Sequence, residues 1–229
     1  MTTNSPRKAC VFCNGKLKDP IGVKRIASNC DILIAANGGA KLMADLGLKP
    51  GVIIGDMDSA VPDMWNGENH IKRIPYSPRK DKSDAELAVD YALELGYQQV
   101  ILVAATGGRL DHTLGNVTLL VSHPGQVALF DGTSTLVAVD KSEKCRLHGQ
   151  IGTLVSLIPY SLGPFTIRTK GLKHPLQDES LNSATHGLSN ELSQTETCVC
   201  VSNGVLLVYI ENHDMSDLSE DLSEVVQGK

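Results

Sequence analysis

A surplus of basic residues is absent from this 229-residue sequence: 21 Lys and Arg stand against 26 Asp and Glu, for a net charge of -5. The chain therefore has no general attraction for phosphate backbones or anionic lipid, and neither a nucleic acid nor a membrane is expected as a partner. Long apolar runs are missing too. Stretches such as VILVAA (Val100–Ala105) fall far short of the ~20 residues that cross a bilayer, and the opening MTTNSPRKAC lacks the apolar segment of a secretory signal. A soluble, cytoplasmic protein is expected. The six cysteines, at 10, 13, 30, 145, 198 and 200, are too sparse for a disulfide scaffold. Cys10 and Cys13 form a C-x-x-C, and Cys198 and Cys200 a C-x-C. No histidine stands at finger-like spacing to either pair, so small buried strand residues are expected there rather than a metal or redox centre. Neither G-x-x-x-x-G-K-[ST] nor G-x-G-x-x-G occurs, which removes the P-loop and dinucleotide fingerprints.

What the sequence does contain is a rhythm that changes once. Through roughly the first 130 residues, apolar runs (ACVFC, DILIAA, VIIGD, HIKRIP, QVILVAA, QVALF) alternate with amphipathic stretches. The clearest of these, SDAELAVDYALEL, places Leu87, Ala88, Tyr91 and Leu95 on one helical face. Alternating strand and helix predicts an α/β fold, with a mostly parallel, doubly wound sheet covered on both sides. Beyond about Asp140 the helical period stops. Short β-rich runs (KCRLH, GTLVSLIP, FTIRT, TCVCVSN, VLLVYIE) follow, separated by Gly, Pro, Asn and Ser turns. The expected division is an α/β domain over 1–140, an all-β domain over 141–213 and an acidic, Ser-rich tail over 214–229.

Chemistry-bearing residues collect where the expected strands end, the edge at which open α/β sheets take ligands. After DILIAA comes NGGA, with Asn37, Gly38 and Gly39 opening the backbone to an anion. After VII comes GDMDS, with Asp56 and Asp58. After RIP comes KDKSD, with Lys80, Asp81 and Asp84. After VILVAA comes TGGRLDHTLGN, with Thr106, Arg109 and Asp111. Two carboxylates at i and i+2 beyond a buried strand repel each other unless a cation lies between them, and Mg2+ is the natural candidate. An Asx-turn capping backbone amides is the alternative for Asp56 and Asp58. The three other polar exits favour the metal. Ser83 and Glu86 form a capping box, which accounts for themselves and in part for Asp84, but not for Lys80 and Asp81. A lysine beside such acids suits a phosphate that needs a second cation.

NGGA, GDMDS, KDKSD and GGRLDHTLGN, in this order and spacing, resemble the signature segments of the thiamin pyrophosphokinase family. GTLVSLIP, TKGLKHPL (Thr169–Leu176) and GLSNEL (Gly187–Leu192) are similar to its carboxyl-terminal motifs, so the resemblance spans nearly the whole chain. It implies an α/β domain followed by a β-sandwich, paired as a homodimer with sites between the α/β domain of one subunit and the sandwich of the other. It implies transfer of the pyrophosphoryl group of ATP to the hydroxyethyl group of thiamin, giving thiamin diphosphate and AMP. By the same resemblance Asp56, Asp58 and Asp84 would hold Mg2+, with Asp81 close by. Lys80, Thr106, Arg109 and Asn37–Gly39 would hold the polyphosphate. On physical grounds, apart from the resemblance, Asp111 is expected to orient or deprotonate the attacking hydroxyl, the alternative being a purely structural role. Ser189 and Asn190 would face thiamin. Asn37 departs from the family, which usually carries aspartate there, and Ser83 replaces the usual threonine. The single tryptophan, Trp65, falls in the α/β part, so no aromatic in the β-rich part is assigned to stack on thiamin. The alternatives are a pyrophosphokinase for another hydroxymethyl heterocycle, such as a pterin, and a non-catalytic thiamin or nucleotide sensor.

Overall fold

A computed structural model describes residues 6–57, 65, 67–141, 144–161, 166–181 and 185–211. The chain divides into two compact units. The first comprises residues 1–119 and 129–132, the second residues 120–128 and 133–229. Asp58 and the acidic tail expected over 214–229 lie outside the described residues.

The first unit follows the expected alternation: β1 (Lys8–Phe12), α1 (Pro20–Ser28), β2 (Ile32–Ala36), α2 (Gly39–Asp45), β3 (Val52–Gly55), β4 (Lys72–Pro75), α3 (Asp84–Glu94), β5 (Gln99–Val103) and α4 (Leu110–Ser122). Its strands lie in the order β5-β1-β2-β3-β4. Every adjacent pair among them is parallel, with Cys10 opposite Leu33 on one side and Ile101 on the other. β3 and β5 are buried along their whole length. That is why they read as continuous aliphatic runs and not as alternating ones. β4 is exposed at Lys72, Arg73 and Pro75. Charges and a proline suit an edge strand, where they discourage pairing with another chain.

The helices begin where their caps dictate. The Asp19 side chain accepts from the Ile21 amide ahead of Pro20, and the Ser83 hydroxyl accepts from the Glu86 amide at 3.1 Å. Each such cap stabilises its helix by about 1 kcal/mol. α3 buries Ala85, Leu87, Ala88, Val89 and Ala92. The expected face is thus turned. Leu87 and Ala88 are buried, but Leu95 is 46% exposed, because the helix ends at Glu94 and Leu95 is its cap. Phe12, Ile34, Met43, Ile53, Ile54 and Leu102 are fully enclosed and form the core that fixes the strand ends, each contributing about 1.5–3 kcal/mol of burial.

The boundary between the units runs through β6 (Val127–Phe130). The second unit contains β7 (Ser134–Asp140), β8 (Lys144–His148), β9 (Leu154–Pro159), β10 (Ile167–Lys170), β11 (Gln177–Glu179), β12 (Asn190–Glu191), β13 (Glu196–Val201) and β14 (Val205–Glu211). These form two antiparallel series, β12-β9-β14-β7 and β11-β10-β13-β8. β10 and β13 alternate strictly, burying Ile167, Thr169, Thr197, Val199 and Val201 and turning Arg168, Lys170, Cys198 and Cys200 outward. Such alternation is the mark of a sheet covered on one face.

Candidate active site

Because the five strands of the first unit are parallel, the residues that follow them all emerge at one edge. Asn37, directly after β2, has a left-handed backbone (φ 43°), which asparagine tolerates better than most residues. Its amide N–H donates to the Ile54 carbonyl at 2.7 Å, and its side-chain Nδ2 donates to Asp56 Oδ1 at 2.9 Å. The exits of β2 and β3 are thereby tied together. Gly38 and Gly39 are both buried. A Cβ on Gly39 would stand 1.9 Å from the Phe12 carbonyl oxygen, so close backbone packing onto β1 requires glycine there whether or not an anion binds. Met57, between the two acids of GDMDS, also has a positive φ of 60°.

Beyond β4, Lys80 Nζ lies 2.6 Å from Asp84 Oδ1, with both side chains largely enclosed. That oxygen has no aligned hydrogen-bond donor, so the contact is an ion pair without a directed bond. Asp81 is exposed. Lys82 turns away toward Asp90 (2.6 Å) and Glu86 (3.6 Å) along α3.

Beyond β5, Arg109 forms a fork onto Asp111, from Nε to Oδ1 at 3.1 Å and from Nη2 to Oδ2 at 2.5 Å. The His112 amide also donates to Asp111 Oδ1. The Arg109 hydrogen bonds above all hold the Asp111 carboxyl down to about 2, and the same pairing raises the guanidinium. Both side chains are well exposed. Thr106 is half-buried at the start of this segment. The buried Asn116 of α4 donates from Nδ2 to the Ala105 carbonyl at 2.8 Å, which anchors the segment to the helix.

The exit of β1, CNGK, escaped the sequence reading. Its amides donate to the β5 exit: Cys13 to Val103 (2.9 Å), Gly15 to Ala104 (2.7 Å) and Lys16 to Thr106 (2.9 Å). An Asn-Gly pair directly after an apolar strand was the available signal. Asn116 closes the TGGRLDHTLGN stretch, and nothing in the sequence shows its carbonyl partner.

The structure brings Asn37 together with Asp56, Lys80 with Asp84, and Arg109 with Asp111. Among the described residues, no three His, Cys, Asp or Glu side chains converge as a metal centre. The individual donors are of the type a hard divalent cation takes. Asp56 and Asp84 offer carboxylate oxygens, and the Asp84 oxygen without an aligned donor already faces a positive charge. The C-x-x-C does not fit a metal or redox role. Cys10 and Cys13 are buried, and burial pushes the Cys13 thiol up to about 12 and the Cys10 thiol well above its ordinary value, so both stay neutral and unreactive. Cys198 and Cys200 are half-exposed, which departs from the burial expected for them.

In the second unit the Asn190 side chain is engaged with one turn of backbone. Its Nδ2 donates to the His174 carbonyl at 2.7 Å, while its Oδ1 accepts from the His174 amide (3.1 Å) and the Glu191 amide (2.9 Å). Lys173 pairs with Glu191 at 2.9 Å. The neighbouring Ser189 is exposed and left-handed (φ 58°), its amide donating to the Ser156 hydroxyl at 3.1 Å. The Leu157 amide donates to the Gly187 carbonyl at 2.8 Å. The segments GTLVSLIP, TKGLKHPL and GLSNEL are therefore one physical assembly, in which Asn190 shapes the turn and Ser189 presents a hydroxyl.

Residues 23–130 match the family model described as the thiamin pyrophosphokinase catalytic domain. Residues 136–206 match the thiamin pyrophosphokinase vitamin B1 binding domain. The thiamine pyrophosphokinase of Bacillus subtilis is 28% identical over 187 residues, covering 76% of this chain and 85% of that protein. Thiamine pyrophosphokinase 2 of Arabidopsis thaliana is 30% identical over 158 residues, covering 65% of this chain and 54% of that protein. The crystal structure of the Bacillus subtilis protein superposes with a TM-score of 0.77 at 22% identity, covering 91% of this chain and 100% of that one. This last likeness speaks to the fold.

Proposed function

The chain belongs to the thiamin pyrophosphokinase family, and from that membership we infer that it transfers the pyrophosphoryl group of ATP to the hydroxyethyl group of thiamin, releasing thiamin diphosphate and AMP. The observation that carries this reading is the succession, in one chain, of a match to the catalytic domain and a match to the vitamin B1 binding domain. The acidic and basic side chains gathered at the parallel-strand exits supply matching chemistry.

Transfer of this kind asks little covalent chemistry of a protein. It asks for in-line positioning and for neutralisation of charge as it develops on the phosphate oxygens. Asp56, Asp58 and Asp84 would hold Mg2+, with Asp81 beside them, and when bound the ion supplies the charge that draws the triphosphate in and screens it. Asn37 donates to Asp56 and so fixes that carboxylate's orientation. Lys80, Thr106, Arg109 and the Asn37–Gly39 turn hold the polyphosphate. Asp111 lies at the right segment to meet the thiamin hydroxyl. Without ligand Arg109 holds the Asp111 carboxyl near 2; once Arg109 turns to the polyphosphate that hold is released, and Asp111 orients or deprotonates the hydroxyl. Ser189 and Asn190 face thiamin, and the Asn190 side chain also holds the 173–174 turn.

The finer architecture belongs to the same proposal. Strand order β5-β1-β2-β3-β4 reverses direction at β1, and right-handed crossovers then put helices on both faces of the sheet, which is the doubly wound form. We read the part up to about residue 140 as the ATP-binding catalytic domain and 141–213 as a thiamin-binding β-sandwich, with 214–229 as a tail. The active form is a homodimer acting in the cytoplasm. No helix among the described residues is long and apolar enough to cross a membrane.

The test is direct. Purified protein is incubated with ATP, Mg2+ and either thiamin or a hydroxymethylpterin, and AMP is measured. AMP formed only with thiamin supports the reading. AMP with the pterin alone, or with neither acceptor, refutes it.

A further inference from the structure

We propose that Lys16, at the exit of β1, is a polyphosphate-binding residue, and that Gly15–Lys16 and Gly107–Gly108 together form the seat on which a nucleoside triphosphate lies. The strand order reverses between β1 and β5, and at such a reversal the two adjoining loops leave a crevice at the carboxyl edge of the sheet. The loops here are bound to each other by backbone. Gly15 and Lys16 donate to the Ala104 and Thr106 carbonyls at 2.7 and 2.9 Å. They also meet glycine to glycine. A Cβ on Gly15 would stand 2.2 Å from the Thr106 carbonyl oxygen, and one on Gly108 would lie 3.8 Å from the Gly15 Cα. Close packing of the two loops therefore requires glycine at 15, and positions 15, 107 and 108 themselves add no side chain to this stretch.

The lysine follows from the same geometry. Its stem lies against Gly107, where a Cβ would come within 3.0 Å of Lys16 Cβ, so any larger residue at 107 would displace it. Lys16 is exposed and pairs with no carboxylate among the described residues. Three of the other cations near these exits are engaged: Lys18 with Asp131 at 2.6 Å, Lys80 with Asp84 at 2.6 Å, and Arg109 with Asp111. Among the described residues Lys41 and Arg79 also pair with no carboxylate, but Lys41 follows β2 and Arg79 follows β4, away from the β1–β5 reversal. A triphosphate recruiting Lys80 or Arg109 must first compete with a carboxylate. Lys16 offers its charge without that competition, and an ammonium on a flexible stem suits a non-directional phosphate contact.

This inference rests on the proposed function for the identity of its ligand, and its test separates the two. Binding of α,β-methylene-ATP with Mg2+ is measured calorimetrically for wild type, Lys16→Ala and Lys16→Arg, alongside thermal midpoints and steady-state KM values. Lys16→Ala is expected to weaken analogue binding by about ten- to hundredfold, in the range of a lost charged contact. Its thermal midpoint and its KM for thiamin should match wild type, and Lys16→Arg should recover most of the affinity. Unchanged analogue binding in Lys16→Ala would overturn the proposal, as would equal loss in both variants. A Lys16-dependent loss of analogue binding in a protein that makes no AMP from thiamin would uphold this site and defeat the proposed function instead.

Discussion

Asn37→Asp restores the side chain usual in the family and, on the geometry found here, should destabilise the protein when no divalent ion is present. Asn37 Nδ2 donates to Asp56 Oδ1 at 2.9 Å, so the substitution removes a bond to a charged acceptor and puts a second carboxylate beside the first. The lost bond is worth about 1.5–3 kcal/mol. Repulsion between unit charges ~4 Å apart is about 4 kcal/mol at an effective dielectric of 20, and both residues are half-exposed, which cuts this to about 1 kcal/mol. A net loss of about 2.5–4 kcal/mol corresponds to a thermal midpoint lower by roughly 5–15 °C in a chain of this size. The sign with pH follows from which species is penalised. A carboxyl placed against a like charge is raised in the folded state, so the cost is full above that raised value. It fades as pH falls toward about 4, where the introduced group protonates and can donate to Asp56. Thermal melts in EDTA at pH 8 and pH 4.5, and at pH 8 with Mg2+, test this. The gap from wild type should be large in the first condition and should shrink in the other two. A variant as stable as wild type at pH 8 in EDTA, or a gap independent of pH, would refute the reasoning.

Asp111→Asn should lower kcat while leaving the affinity for α,β-methylene-ATP unchanged; in the free enzyme Arg109 holds the Asp111 carboxyl down to about 2, so its charge is lost only as pH falls through that value, and the acid limb of the wild-type kcat/KM profile above pH 4 should not report it. Normal turnover in that variant would remove Asp111 from the reaction. Gly39→Ala, whose Cβ would fall 1.9 Å from the Phe12 carbonyl oxygen, should lower the thermal midpoint sharply or abolish soluble expression. Gly115→Ala, where a Cβ meets nothing within 4 Å inside α4, should instead stabilise by about 0.5–1 kcal/mol in chemical denaturation. The Cys10 and Cys13 thiols, raised by burial, should resist alkylation at pH 8 in the native protein and react once it is unfolded in denaturant.

Several elements were legible before the fold was known because their signals are local. The buried strands announce themselves as aliphatic runs, and Ser83 followed by Glu86 marks the start of α3. The polar exits after β2, β3, β4 and β5 could be read from abrupt changes in residue type. What escaped depends on contacts between distant segments. Gly39 was read as an opening for an anion, yet its first constraint is the carbonyl of Phe12 on another strand. The engagement of the Asn190 amide with the backbone around His174 is likewise invisible in GLSNEL. The Arg109–Asp111 fork is local in sequence, but whether the two side chains meet or diverge depends on the turn between them. Lys16 passed unnoticed since only the strand order puts β1 beside β5 and gives its exit a role.

The placement of β1 also governs how this chain must come together as it is made. One neighbour, β2, follows almost at once, but the other, β5, pairs Cys10 with Ile101 and is translated roughly ninety residues later. Until then β1, an interior strand of the finished sheet, is an apolar edge with one side bare. At ribosomal speeds of about 5–20 residues per second, that leaves it unguarded for several seconds. Slow codons between α1 and β5 would lengthen this interval, and chaperones would find their binding site on the nascent chain here.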